Sequence, residues 1–228
     1  MKSKVIAPST SVTRYSIGNH TLQRVDSERD LGAITESSLS VSKACQAAKK
    51  KAMTMLGLLK RTLGKFDPAI LPIIVSCYIR PYLEHSSQAW SPWLIRDQQL
   101  LEAAQRWATK MTRDTWTKPY QTRLYELGLF SLKYRRIRGD LILTYKILHP
   151  PNHVCRHLLN LATTTHLRGR SLKLMHSHSR LNCRNKFFSL RVVNRRNELP
   201  ESVVQATSTE QFKLLLDNHL ISLHYEVL

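Results

Sequence analysis

The sequence predicts a mainly α fold, a helical bundle with small β elements at the N-terminus and near residues 170–181. Three observations carry that expectation. From Ser42 onward apolar residues recur mostly with a helical period, whereas strand-like alternation is confined to residues 1–40 and 170–181. A hydrophobic content of 42% over 228 residues is enough to build a core. With only 7 glycines, the composition also argues against wholesale disorder.

The elements follow in order. Lys4-Val5-Ile6 and Tyr15-Ser16-Ile17 read as short strands, and Gly18-Asn19 is a turn signal before Thr21 to Val25. Such a hairpin buries little alone, so it should lean on the helices that follow or on a surface outside these residues. A first helix runs from Ser42, with Ala44, Ala48, Ala52, Met55 and Leu59 on one face and Lys49, Lys50, Lys60 and Arg61 off it. A second starts at Asp67-Pro68, a capping residue followed by the one best tolerated in a first turn, and Pro72 and Pro81 kink or interrupt it. Asp97 is positioned to cap a third, whose Leu100, Ala104, Trp107, Ala108 and Met111 oppose Glu102 and Arg106. A short helix from Pro119 should stop at Gly128. The helix from Ser131 to His149 is apolar along Tyr134, Ile137, Leu141, Tyr145 and Leu148, and Pro150-Pro151 ends it and marks a domain boundary. Residues 152–161, 184–198 and 208–222 read as helical, the last opened by a Ser208–Gln211 capping box. The domains expected are therefore 1–40, 41–150 and 151–228.

Charge limits the partners. Against 16 Asp and Glu stand 35 Lys and Arg, a net of +19, and residues 101–200 alone carry twenty basic and five acidic residues. A compact body with such a field attracts polyanions through phosphate contacts that release counterions. Two groups of basic residues are candidates. One is Arg106, Lys110 and Arg113 with Lys133, Arg135, Arg136 and Arg138; the other is Arg168, Arg170, Lys173, Arg180, Arg184, Lys186, Arg191, Arg195 and Arg196. The plainer reading is a solvated helix face. Against it stands the scarcity of acids, since Glu198 is the one acidic residue in 151–200 and neighbours within a helix cannot neutralise the cations.

Residues 1–8 hold no apolar leader, and the longest apolar stretch, 69–79, is too short to span a bilayer. Cys45, Cys77, Cys155 and Cys183 are scattered like reduced thiols. These features predict an intracellular protein, nuclear or cytoplasmic, with neither a membrane nor a small-molecule substrate as partner.

Several strings resemble the tail of jockey-like non-LTR retrotransposon reverse transcriptases. They are Arg29-Asp30-Leu31-Gly32, Leu56 to Thr62, Ile79-Arg80-Pro81-Tyr82-Leu83-Glu84-His85, and Gln88-Ala89-Trp90-Ser91-Pro92. Gln105 to Met111, Arg138-Gly139-Asp140-Leu141-Ile142, Arg168 to Leu174, and Lys186-Phe187-Phe188-Ser189 follow. Arg191-Val192-Val193-Asn194, Glu198-Leu199-Pro200 and Phe212-Lys213 end the series. Each string is weak alone; their order over nearly the whole chain makes the resemblance specific. It implies the end of a palm-like β hairpin over 1–40, a helical thumb-like domain over 41–150, and a small basic C-terminal extension over 151–228. It also implies a role in holding RNA or an RNA–DNA hybrid. One departure is Arg196, where the family usually has tryptophan.

Polymerases of this kind hold two Mg²⁺ ions between carboxylates. No Asp-Asp pair occurs in this sequence, so the catalytic palm is expected to be missing, the chain inactive alone, and no cofactor held by it. Trp90, Trp93, Trp107 and Trp116 could stack on bases, but Trp107 reads as core and Trp90 and Trp93 as anchors of a turn. His149, His153, Cys155, His157, His166, His176, His178 and Cys183 gather late without structural-zinc spacing, so no metal is expected. The alternative function is a protein-interaction module whose basic surface meets an acidic partner.

Overall fold

The computed structural model describes residues 4–7, 13–64, 66–112, 115–150, 153–162 and 172–222. Among the described residues helix makes up 58% and strand 10%, so the mainly α class is the one that forms. The chain divides into two units, Met1–Lys118 and Pro119–Leu228. The boundary expected at Pro150-Pro151 is therefore corrected. Those prolines follow the end of a helix without ending its domain, because residues before and after them share one core.

The first unit opens with short strands: β1 (Lys4–Val5), β2 (Ser16–Ile17), β3 (His20–Thr21), β4 (Gln23–Arg24), β5 (Ser27–Asp30) and β6 (Ala33–Glu36). β1 pairs in parallel with β4, β2 pairs antiparallel with β3 across the Gly18-Asn19 turn, and β5 pairs antiparallel with β6. The β5–β6 turn is Leu31-Gly32, with φ of 46° and 86°, the left-handed pair that suits right-twisted strands. A Cβ on Gly32 would lie 2.9 Å from His85 Nε2, and that nitrogen is 3.2 Å from the Leu31 carbonyl. The β5–β6 hairpin thus leans on the helices that follow, whereas β2 and β3, the strands flanking Gly18-Asn19, are exposed.

Helix α1 (Ser42–Leu63) buries Ala44, Cys45, Ala48, Ala52, Leu56 and Leu59, so Leu56 takes the core position expected of Met55. Asp67 Oδ1 accepts the Ala69 N–H at 2.8 Å, opening the turn that leads into α2 (Leu71–Ile74). A π turn, Val75–Ile79, joins α2 to α3 (Arg80–Glu84). Pro72 sits in a first turn, where its missing N–H costs nothing. Pro81 cannot donate to the carbonyl four residues back, and the wider π turn accommodates it. In α4 (Ser87–Trp90), Trp90 is buried and donates its indole N–H to the His85 carbonyl at 2.6 Å, as an anchor of the turn.

Helix α5 (Ile95–Ala108) buries Asp97, Leu101, Glu102, Ala104, Gln105 and Ala108. Two expectations are corrected here. Asp97 lies inside the first turn, beyond the N-cap Leu94, and accepts the Ser42 hydroxyl at 2.7 Å, tying α1 to α5. Glu102, expected in solvent, is 8% exposed.

In the second unit, α6 (Tyr120–Glu126) ends before Gly128, whose φ of 58° is the left-handed stop expected there. Helix α7 (Leu132–Leu148) is capped by Ser131, whose Oγ accepts the Tyr134 N–H at 3.1 Å. A 3-10 turn (Val154–Leu158), α8 (Asn182–Asn185), α9 (Phe188–Glu198), α10 (Glu201–Val204) and α11 (Thr209–Ser222) follow. Tyr134, Ile137, Leu141 and Tyr145 of α7 meet Val192 and Val193 of α9 and Phe212, Leu216 and Leu220 of α11 in one core. Tyr145 stacks on Phe212 at 4.3 Å and donates its hydroxyl to the Ala206 carbonyl at 2.7 Å. Burial pushes the Tyr145 pKa up, with the Glu210 charge acting the same way. Ser208 caps α11 through the Gln211 N–H, while the Gln211 side chain reaches back to the Thr207 N–H.

Of the ribbon expected over 170–181, residues 170 and 171 lie outside the described residues. The remainder makes one antiparallel bridge, Leu161 to Leu174. Its fixed point is Asn197, whose amide accepts the Leu174 N–H at 2.8 Å and donates to its carbonyl at 2.9 Å. Among the described residues, no helix is long and apolar enough to cross a membrane.

Candidate nucleic-acid interface

Helix α7 carries Lys133, Arg135, Arg136 and Arg138 within six residues, so at about 100° per residue they cannot all share one outward face. The helix is in fact buried on two sides, one apolar and one bearing Arg136, Asp140 and Thr144. Lys133 and Arg135 are half-buried, and Arg136 is 7% exposed. Arg138 reaches α11, where its Nε and Nη2 donate to the two Asp217 carboxylate oxygens at 2.5 and 2.7 Å. Hydrogen bonding to Asp217 pushes the guanidinium pKa up further still.

Arg191 of α9 is held likewise. Its Nε and Nη2 donate to Asp140 Oδ2 and Oδ1 at 2.8 and 2.9 Å, its Nη1 donates to the Lys186 carbonyl, and its guanidinium lies 5.7 Å from the Phe188 ring. Arg196 is 8% exposed. The expectation that Arg136, Arg138 and Arg191 belong to an outward gripping face is corrected. The carboxylate partners of Arg138 and Arg191 lie far along the chain, where no local charge count finds them.

The other candidates divide. Arg113, Arg168 and Arg170 lie outside the described residues. Arg106 and Lys110 are exposed around the end of α5, and Lys173, Arg180, Arg184 and Lys186 are exposed before and around α8. Arg184 lies 5.2 Å from the Phe187 ring and, with His157 and His178, lines a polar cleft of about 330 Å³.

Helix α1 offers a basic surface that the candidate groups omitted. It bears Lys43, Lys49, Lys50, Lys51, Lys60 and Arg61 and no acidic residue in 22 positions. Lys50, Lys51, Lys60 and Arg61 are exposed. The absence of any Asp or Glu from so long a helix was the available signal. Of the tryptophans, Trp93 and Trp107 are half-buried, while Trp116 is 64% exposed.

Four of the described aspartates are committed to contacts within the fold. Asp67 caps a turn, Asp97 accepts from Ser42, and Asp140 and Asp217 hold arginines. Among the described residues, no three His, Cys, Asp or Glu gather closely enough to hold a metal ion.

No family model, curated protein or solved structure matches this chain.

Proposed function

We propose that these residues are the thumb and C-terminal region of a jockey-like non-LTR retrotransposon reverse transcriptase, and that they grip RNA or an RNA–DNA hybrid through its phosphates. The acid-free helix α1 carries the binding half of this reading. Four of its cations stand in solvent with no carboxylate on the same helix to neutralise them, in a chain of net charge +19. The family half draws support from the resembling strings, which meet one another in the fold. Leu31-Gly32 lies against His85, Asp140 pairs with Arg191, and Leu174 is clamped by Asn197, beside the Glu198-Leu199-Pro200 string.

The residues hold and orient; they bring no paired carboxylates for phosphoryl transfer. Such a role belongs in the nucleus or cytoplasm, a setting that four free thiols suit.

The test is a salt titration with a blunt RNA–DNA hybrid. Affinity should fall log-linearly with salt, with a slope of about one unit per phosphate contact, and should vary little between unrelated sequences. Absence of hybrid binding at low salt, together with tight salt-sensitive binding of polyglutamate, would favour an acidic protein partner instead.

A further inference from the structure

The first unit holds a cleft of about 450 Å³ between the C-terminal end of α1 and the loop after α5, a size within the range of ligand sites. Its walls are mostly apolar and include Trp107, Trp116 and Met111, with the aliphatic stems and ammonium groups of Lys60 and Lys110 beside them. We propose that this cleft takes one unstacked base of a single-stranded RNA, with the lysines on the flanking phosphates. The proposal rests on the nucleic-acid reading above and deepens it.

Trp116 is the first reason. Its side chain is 64% exposed, an expensive way to keep a large aromatic unless something covers it. The described residues that precede it are nevertheless held. Thr109, Thr112 and Thr115 are all buried; the Thr112 and Thr115 hydroxyls bond each other, and Thr115 Oγ1 donates to the Thr109 carbonyl at 2.9 Å. The Phe66 N–H donates to the Met111 carbonyl at 3.2 Å and ties the same loop to the chain after α1. The indole therefore follows directly on Thr115, a buried residue held by hydrogen bonds, which lowers the cost of ordering it on binding.

Charge selects the occupant. Lys60 Nζ lies 5.5 Å from the centre of the Trp107 ring, so a cation already sits at an aromatic wall. Lys110 adds a second, and no acidic side chain is among the described lining residues. An apolar peptide would leave both ammonium groups without a counterpart. A nucleotide supplies a flat π face for the indole and a phosphate for the lysines, the pairing that single-strand binders use. A base stacked inside a duplex has no free face to offer, so the site discriminates single strands from the hybrid held by phosphate contacts alone.

The experiment compares the full chain with Trp116→Ala and Trp116→Phe on three labelled probes: a uridine dodecamer, an abasic strand of equal length, and a blunt RNA–DNA hybrid. Trp116→Ala should bind the dodecamer roughly tenfold more weakly, within the range expected for loss of one aromatic platform. Trp116→Phe should stay within about threefold of the parent because it keeps a ring. The abasic strand and the hybrid should bind all three proteins alike. Unchanged dodecamer binding by Trp116→Ala, or an equal loss on the abasic strand, overturns the base site. If the hybrid still binds in that case, the phosphate-gripping function survives. If the parent protein binds none of the probes, both readings fall together.

Discussion

Two arginines of the second unit and three lysines of α1 in the first are treated in opposite ways. In Pro119–Leu228, Arg138 and Arg191 are bound bidentately by Asp217 and Asp140 from other helices. In Met1–Lys118, the lysines of α1 share their helix with no acid, and Lys50, Lys51 and Lys60 stand in solvent, while Lys43 pairs with Glu36 of β6 at 3.5 Å. The contrast teaches that local charge density does not distinguish a gripping cation from a structural one. What decides is whether a carboxylate arrives from elsewhere in the chain. Asp140 and Arg191 are 51 residues apart, and Arg138 and Asp217 are 79 apart.

The largest effect that would sharpen this contrast is expected at Asp140. Its pair with Arg191 has side-chain exposures of 6% and 13%, so Asp140→Ala leaves a guanidinium charge with little water to solvate it. A loss of about 3 kcal/mol in urea unfolding of the second unit is expected, the usual result of breaking a buried pair from one side. Limited proteolysis should cut Pro119–Leu228 first. A loss below about 1 kcal/mol would mean that the pair does not hold α7 to α9.

The hydroxyl of Tyr145 comes next. Tyr145→Phe removes its bond to the Ala206 carbonyl and should cost about 1 kcal/mol near neutral pH. Because the folded-state pKa is raised, the stability that Tyr145 gives is fully present below the ordinary tyrosine value of about 10, and is lost as pH rises through the raised value. Urea melts of parent and variant should therefore draw together above pH 10; a constant gap up to pH 11 would contradict the burial argument.

A smaller effect is expected at Asp217→Asn. The Arg138–Asp217 pair is about one-third exposed on each side and screened by solvent, so its loss should cost about 1 kcal/mol or less, most visibly at low salt. Equal losses at Asp140 and Asp217 would erase the distinction between the deep pair and the shallow one.

These differences also mark what the sequence could reveal. Local rules located the Gly18-Asn19 turn, the start of α1 at Ser42, the start of α7 at Ser131 and the Gly128 stop, because each depends on neighbours within a few residues. The face of α5 was misread because Glu102 and Gln105 are buried beside Leu101 and Ala108, and apolar periodicity does not register a buried polar residue. The domain boundary was misread because Pro150-Pro151 reports the end of α7 and says nothing of the core that α7 shares with α9 and α11. In the candidate site, the exposure of Lys110, Lys173, Arg184 and Lys186 follows from their surroundings in sequence. The inward turn of Arg138 and Arg191 depends on partners that tertiary packing brings.

The claim that exposed lysines of an acid-free helix grip phosphate is tested most directly by Lys50→Glu combined with Lys51→Glu. Neither side chain is buried, so the melting temperature should hold within a few degrees. Against a blunt RNA–DNA hybrid, the slope of log affinity on log salt should fall by about two units, and binding at low salt should weaken by at least tenfold. A folded double variant with the parental slope and affinity would contradict the account and remove α1 from the interface.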